Sequence, residues 1–524
     1  MFAGSLHIGS LACRREHVNG IQRLSSIFDY SMRCRRDIAS STTSVVEHNK
    51  QKTIDDLDGP SFVRTLYWLI GKGYLSLSHQ MQIEHSKIYG PLWKSKFGSM
   101  VLVNVANADM IAQVMRQEGR HPIRTDMPHW RFYREIRNKA YGPLSQNGAE
   151  WLHIRSVLNP ALLKPVHVSR YTNTLNMVVT DFINRATWLR ENTGQGIVVH
   201  NLADELYKFA FEGICSVLFE TRMGCLNEVF PEETQKFISS VGEMFRVSMI
   251  ILLFPKFLWP YNPIWKQFVA AWDHIFKVAD KLVQQKIGSI QEKVRLGETV
   301  EGEYLTHLLL SDQMTLEEIL ASITELLVAG VDTTSNTVAW ALYLLAAHPE
   351  IQERLYQEVI SVCPRGKIPT SDDFSNMPYL KAVIRETLRL YPVVPGNARV
   401  TAEKEIMVGD YLFPKRTLFH LCHYAVSYDE SVFPEPHAFR PSRWLRGDTS
   451  QPRSHPFGSI PFGFGIRACL GRRLAELEMY LLMSRLMQHF EVRPDPSGCK
   501  VEAVTRTLHC PAQPMNLQFI DRKD

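Results

Sequence analysis

Between about residue 150 and residue 390, apolar residues recur at spacings of three and four, the period of helices that bury one face. The clearest stretch is "MTLEEILASITELLVAGVDTTSNTVAWALYLLAAHPEIQ". It opens with Thr315 and Glu318, a capping-box pair, and Pro349 predicts an end near His348. At 1.5 Å per residue such a helix is roughly 50 Å long, enough to cross a domain. Strand-like patterning is sparse: "MVLVNV" (Met100 to Val105) and a hairpin-like stretch from Glu405 to Tyr424. The pattern predicts a mainly α fold with small β-sheets.

The long helix carries a defect at its centre. Gly330, Val331, Thr333, Thr334 and Thr337 are poor helix formers within two turns, and threonines there can bond back to carbonyls and bend the helix. Asp332 sits among them, although an unpaired buried carboxylate is expensive. Two readings stand on the helix alone. One is a kink packed against a neighbouring helix, with Asp332 in solvent. The other is a groove that holds a small polar molecule and passes protons.

Composition changes the picture mainly at the N-terminus. The first 36 residues hold six arginines, two acids, several serines and no long apolar run, the make-up of a mitochondrial transit peptide. We assign 1–36 to that peptide, 37–60 to a linker and 61–524 to a single domain, since no Gly/Ser/Pro-rich linker, repeat or charge block divides the remainder. The formal charge of +5 falls to +1 without residues 1–36, so charge points to no nucleic-acid partner. "MIILLF", the most apolar run, is far short of the roughly 18 residues of a membrane span. With the aromatics behind it, Met249 to Trp265 reads either as a segment dipping into a bilayer interface or as a buried inter-helix loop.

Nine scattered cysteines without a CxxC support neither a disulfide framework nor a structural zinc site, and they imply a reducing compartment. One of them stands out. In "PFGFGIRACLGRR", Cys469 lies between closely spaced glycines and arginines, directly before the amphipathic helix "LGRRLAELEMYLLMSRLMQHF". A helix N-terminus and Arg467 are expected to lower its thiol pKa, and Gly463, Gly465 and Gly471 let backbone N–H groups approach the sulfur. A nucleophilic cysteine needs a base, and only His455 is near in sequence. A metal held by protein alone would need three more ligands, which the loop lacks. A lone thiolate fits a metal that brings its own equatorial ligands, which means haem. Haem propionates require cations. Arg467 is adjacent, and Trp151 and Arg155 share a helix face at i and i+4.

Two short motifs complete the set: Glu386 and Arg389 in "KAVIRETLRLYP", and Arg443 in "FRPSRW". With FxxGxRxCxG from Phe462 to Gly471 and "AGVDTT" from Ala329 to Thr334, they stand in the order and spacing of the cytochrome P450 family, which the chain resembles over roughly residues 60 to 520. The resemblance implies haem b, bound through an axial Cys469 thiolate between the long helix and the Cys469 loop. Phe462, Arg467, Trp151, Arg155 and Arg399 would contact this haem, and Glu386, Arg389 and Arg443 would form a fold-fixing triad. It also implies insertion of one oxygen atom of O2 into a C–H bond. Thr333 would donate a hydrogen bond to reduced O2 in the groove, and Asp332 would relay protons.

Within the family, "GRRLAE" and the transit-like arm resemble mitochondrial members. "ETLRLYPVVPGNAR" and "HPFGSIPFGFGIRACLGRRLAELEM" are similar to the sterol side-chain (26/27) hydroxylases. That group implies a sterol substrate and electrons from NADPH through a reductase and an adrenodoxin-type ferredoxin. It implies a location on the matrix side of the inner mitochondrial membrane, touching it peripherally. Lys381, Arg385, Arg472 and Arg473 suggest a basic patch for the acidic ferredoxin. A secosteroid or retinoid substrate is the alternative, and a haem sensor without turnover a further one. Trp130, Phe132 and Tyr133 are candidate pocket wall.

Overall fold

The computed structural model describes residues 51–97, 100–125, 127–192, 196–300, 302–401, 403–446 and 455–523. The transit-peptide segment 1–36 lies outside the described residues, as does most of 37–60. Lys52–Asp524 forms one compact unit. Its edge lies upstream of residue 61, because Lys52–Thr53 pairs in parallel with Tyr411–Phe413 and Leu57 is buried.

The axis of this unit is a 32-residue helix, Leu316–Ala347. The Thr315 side chain accepts the Glu318 N–H at 3.2 Å, and the Glu318 carboxylate accepts the Thr315 N–H at 2.9 Å, closing the capping box. His348 ends the helix and Pro349 opens the next. The central helix is apolar nearly all round because it is enclosed on several sides, by helices Leu202–Leu218, Pro263–Arg295, Pro378–Leu390 and Arg472–His489. Val328, Val338, Leu342 and Leu345 are fully buried, each contributing roughly 1.5–3 kcal/mol of transfer free energy. Gly330 is where two helices touch: a β-carbon there would lie 3.0 Å from Ile214 on Leu202–Leu218.

The described sheets are small. Met100–Val105 is a strand, in the order Leu92–Phe97, Met100–Val105, Leu418–Leu421, Asn397–Val400. The stretch from Glu405 to Tyr424 is not one hairpin. Ile406–Val408 and Tyr411–Phe413 pair antiparallel, after which Arg416, at φ 65°, turns the chain into the other sheet. There Leu418–Leu421 runs parallel to Met100–Val105, with Val103 opposite Phe419. Residues His423–Ser427 are helical.

Glu386 and Arg389 lie on Pro378–Leu390 with their side chains wholly buried. Arg389 makes a two-pronged pair with Glu386 at 2.8 and 3.0 Å and donates to the carbonyls of Ser427, Pro436 and Ala438. Arg443 Nε donates to Glu386 at 3.0 Å, as do the Trp444 indole at 2.8 Å and the Arg440 backbone N–H at 3.1 Å. One carboxylate thus gathers donors from segments more than fifty residues apart. That satisfies a buried ion cluster that would otherwise be strongly destabilising.

Candidate functional site

The Cys469 loop is shaped by backbone positions only glycine adopts readily. Gly463 and Gly465 have φ of 71° and 73°, and a β-carbon on Gly465 would meet the Glu118 carboxylate at 2.6 Å. The Cys469 N–H donates to the Phe462 carbonyl at 2.8 Å and the Ala468 N–H to Gly465 at 3.0 Å, folding the loop back on itself. Helix Arg472–His489 begins directly after, and the Gly471 N–H donates to the sulfur.

The expectation of a lowered thiol pKa needs correcting. Burial pushes the Cys469 thiol up, and the Gly471 N–H with the charges of Arg124, Arg155 and Arg472 offsets that only in part. The loop by itself therefore favours the thiol. Loss of the proton requires a metal ion at the sulfur, which deprotonates a coordinating thiol outright. His455 is no partner for it: its Nε2 lies 3.1 Å from Asp109. Among the described residues no cluster of three or more His, Cys, Asp or Glu could hold a metal ion.

Near the sulfur the structure assembles cations. Arg155 donates to the Ala468 carbonyl at 3.1 Å, and Arg467 to Asn147 at 3.0 Å and the Gln146 carbonyl at 2.5 Å. The Trp151 ring lies 4.2 Å from the Arg467 guanidinium and 5.6 Å from that of Arg155, so this i, i+4 pair positions two charges together. Arg399, on strand Asn397–Val400, pairs with Glu118 at 2.6 Å. Arg124, which no motif or periodicity flags, joins them. Burial and its like-charged neighbours Arg399 and Arg155 pull its pKa down to about 10. Arg467 falls to about 9, mainly through burial and then through Arg124, Arg399 and Arg155.

Four guanidiniums thus act on one another, Glu118 pairs with Arg399 and bears on Arg467, and the Nε atoms of Arg124 and Arg467 are buried without a hydrogen-bond partner. Such a cluster is stable only with further anions among it. A porphyrin carrying two carboxylates, with its metal at Cys469, meets that demand; the donor set fits haem.

The central helix packs on Arg472–His489, the helix that follows the loop. Asp332 is not in solvent: it is 5% exposed, and Tyr207 donates to its Oδ1 at 2.8 Å. Burial raises Asp332 to about 7, the Tyr207 hydrogen bond offsetting part of this. Thr333 donates its hydroxyl to the Ala329 carbonyl at 2.7 Å, and Thr337 to that of Thr333 at 2.7 Å, the back-bonding expected of this sequence. With its proton directed to Ala329, the Thr333 hydroxyl keeps its lone pairs open. Glu478, on Arg472–His489, also escaped the sequence reading. It is fully buried, bonded to Thr334 and raised to about 8 by burial.

On the outer side of the loop, Lys381, Arg385, Arg472 and Arg473 line one depression of about 700 Å³, together with the Phe462 ring. Arg472 and Arg473 both reach Glu476, and Arg385 stacks on Trp444 at 4.3 Å. The aromatics offered as pocket wall pack on helix Pro263–Arg295 instead. Trp130 meets Trp272 edge-on, Tyr133 stacks on Trp272 and bonds Asp273, and Phe132 lies against Trp259 and Trp265. Met249 to Trp265 divides its residues: Ile251, Trp259 and Trp265 are buried, while Phe254, Phe257, Leu258 and Tyr261 are exposed. Among the described residues no helix is long and apolar enough to cross a membrane.

This mainly helical fold, with Cys469 in a glycine-shaped loop beside a cluster of arginines, is that of a haem-thiolate protein. The family model for cytochrome P450 matches residues 61–519, and the chain belongs to that family of monooxygenases, with haem b held through a cysteine thiolate. Similar relatives include the mitochondrial sterol 26-hydroxylases of Rattus norvegicus, 46% identical over 90% of each chain, and of Homo sapiens, 44% identical over 90% of each. The mitochondrial 25-hydroxyvitamin D-1 alpha hydroxylase of Homo sapiens is 42% identical over 91% of this chain and 94% of its own. Among solved structures, the cytochrome P450DA heme domain superposes with a TM-score of 0.71 at 20% identity, over 89% of this chain and 96% of that one, and supports the fold.

Proposed function

We propose that this chain hydroxylates a sterol side chain, at C26/C27 of cholesterol or a bile-acid intermediate, in mitochondria. The observation that carries the substrate class is the 44–46% identity to sterol 26-hydroxylases along 90% of the chain. The 42% identity to the vitamin D hydroxylase supports a secosteroid as the second reading.

Bound haem would supply O2 activation, and the Cys469 thiolate would hold its metal and lend it electron density. The protein's own residues do the rest. Arg124, Arg155, Arg399 and Arg467, with Trp151 between two of them, would hold the propionates. Thr333 offers a lone pair in the groove. Asp332, poised near neutrality, takes up and releases protons at Oδ2, an oxygen with no other partner. The depression bearing Lys381, Arg385, Arg472 and Arg473 receives an acidic, adrenodoxin-type ferredoxin, itself reduced by an NADPH-dependent reductase. Residues 1–36 act as a transit peptide to the matrix side of the inner membrane. Exposed Phe254, Phe257, Leu258 and Tyr261 rest in that bilayer's interface.

Reconstitution with ferredoxin and reductase, over a panel of sterols and secosteroids with products identified by mass, tests the substrate. A side-chain-hydroxylated sterol as main product is expected, and turnover confined to secosteroids would replace the first reading with the second. Cys469→Ser should abolish the thiolate signature of the reduced CO complex. An unaltered spectrum with intact turnover refutes the ligand assignment.

A further inference from the structure

The face of the central helix that meets Leu202–Leu218 holds a small polar cluster, in which Asp332 and Asn336 are buried and Tyr207 partly so. Tyr207 donates its hydroxyl to Asp332 Oδ1 at 2.8 Å. Asn336, one turn beyond Asp332, donates its amide to the Tyr207 oxygen at 2.9 Å and to the Asp332 carbonyl at 2.7 Å. The polarity of the chain is thereby fixed. The Tyr207 oxygen already accepts from Asn336, so its single proton goes to Asp332. Asp332 Oδ2 and Asn336 Oδ1 remain buried without a partner. A buried acceptor left open is costly, so Oδ2 calls for a proton or a donor arriving from outside the cluster.

The titratable groups bearing on the site are few. Tyr207 comes from Leu202–Leu218, and Cys510, on strand Leu508–Pro511, feels the Asp332 charge. Glu478, on Arg472–His489, reaches Thr334 on the same helix. Among the described residues no lysine or arginine sets the Asp332 pKa; burial and Tyr207 do.

Resting on the reading that Asp332 carries protons, we propose that Tyr207 is a positioning residue for that step. By holding Oδ1 it leaves Oδ2 as the one oxygen through which Asp332 exchanges its proton, and it sets how readily that proton leaves. The competing forces have opposite signs: burial favours the neutral acid, and the phenol hydrogen bond favours the carboxylate.

The test uses the full-length holoenzyme. Infrared difference spectra recorded against pH should contain a carboxylic-acid carbonyl band, missing in Asp332→Asn, that titrates with a midpoint near 7. In Tyr207→Phe the midpoint should rise by about one pH unit, the worth of one hydrogen bond to a charged group. The alkaline limb of product formed per NADPH should move the same way. Asn336→Ala, which unfixes the phenol and touches Asp332 only at its backbone carbonyl, should shift the midpoint in the same direction by less and serves if Tyr207→Phe does not fold. An unmoved midpoint, or turnover lowered equally at every pH, would make Tyr207 a packing residue and overturn the proposal. Asp332→Asn with unchanged coupling at every pH would instead remove Asp332 from the proton path, a separate failure of the underlying reading.

Discussion

Replacing Glu386 with glutamine changes one oxygen to nitrogen and leaves the side-chain volume intact. It removes the single negative charge facing Arg389, whose side chain is 0% exposed, and Arg443, at 5%. It also leaves one acceptor oxygen for the donors of Arg389, Arg443, Trp444 and Arg440, which now use two. Breaking a buried ion pair from one side costs about 3–5 kcal/mol, because the remaining charge cannot reach water. That is roughly two to four powers of ten in the folding equilibrium, at 1.36 kcal/mol per decade, against a total stability of about 5–15 kcal/mol. Retained carbonyl contacts from Arg389 to Ser427, Pro436 and Ala438 place the loss toward the lower end. A control is built into the molecule. Glu84 pairs with Lys87 on the surface, with side chains 40% and 66% exposed, and Glu84→Gln should cost under about 1 kcal/mol. Urea unfolding followed by tryptophan fluorescence, with haem content measured in parallel, compares the two variants. Equal midpoint shifts would refute the reasoning, since they would mean that burial does not set the cost.

Three further outcomes are expected. Thr333→Ala should divert electrons from hydroxylated product to hydrogen peroxide, read as product and peroxide per NADPH; unchanged coupling takes Thr333 off the proton path. Lys381→Glu should slow reduction by ferredoxin most at low ionic strength while sterol binding, followed by its absorbance shift, stays constant; equal effects on both would argue against docking there. Asp332 has a native pKa near 7 against 3.8 when unfolded, so between those values the folded state holds the extra proton. Stability from this group is full below pH 3.8 and falls as pH rises, by up to about 1.4 kcal/mol per unit, levelling off above 7. Asp332→Asn should flatten that decline between pH 5 and 7 in urea titrations; parallel curves for the two proteins would show the carboxyl is not buried.

What the sequence determined by itself was whatever depends on neighbours along the chain. The capping box at Thr315 and Glu318, the stop at Pro349, the back-bonding threonines and the glycine-shaped turn before Cys469 are all set within a few residues. Their order and spacing were enough to mark the family. The packing of distant segments decided the rest. No periodicity brings Arg124 to Arg155, Arg399 and Arg467, or Tyr207 to Asp332, since each meeting depends on elements far apart in sequence docking at one place. The thiol of Cys469 shows the limit most plainly. The local helix terminus argues for ionisation, but desolvation is a property of everything around the sulfur, and that larger effect reverses the sign.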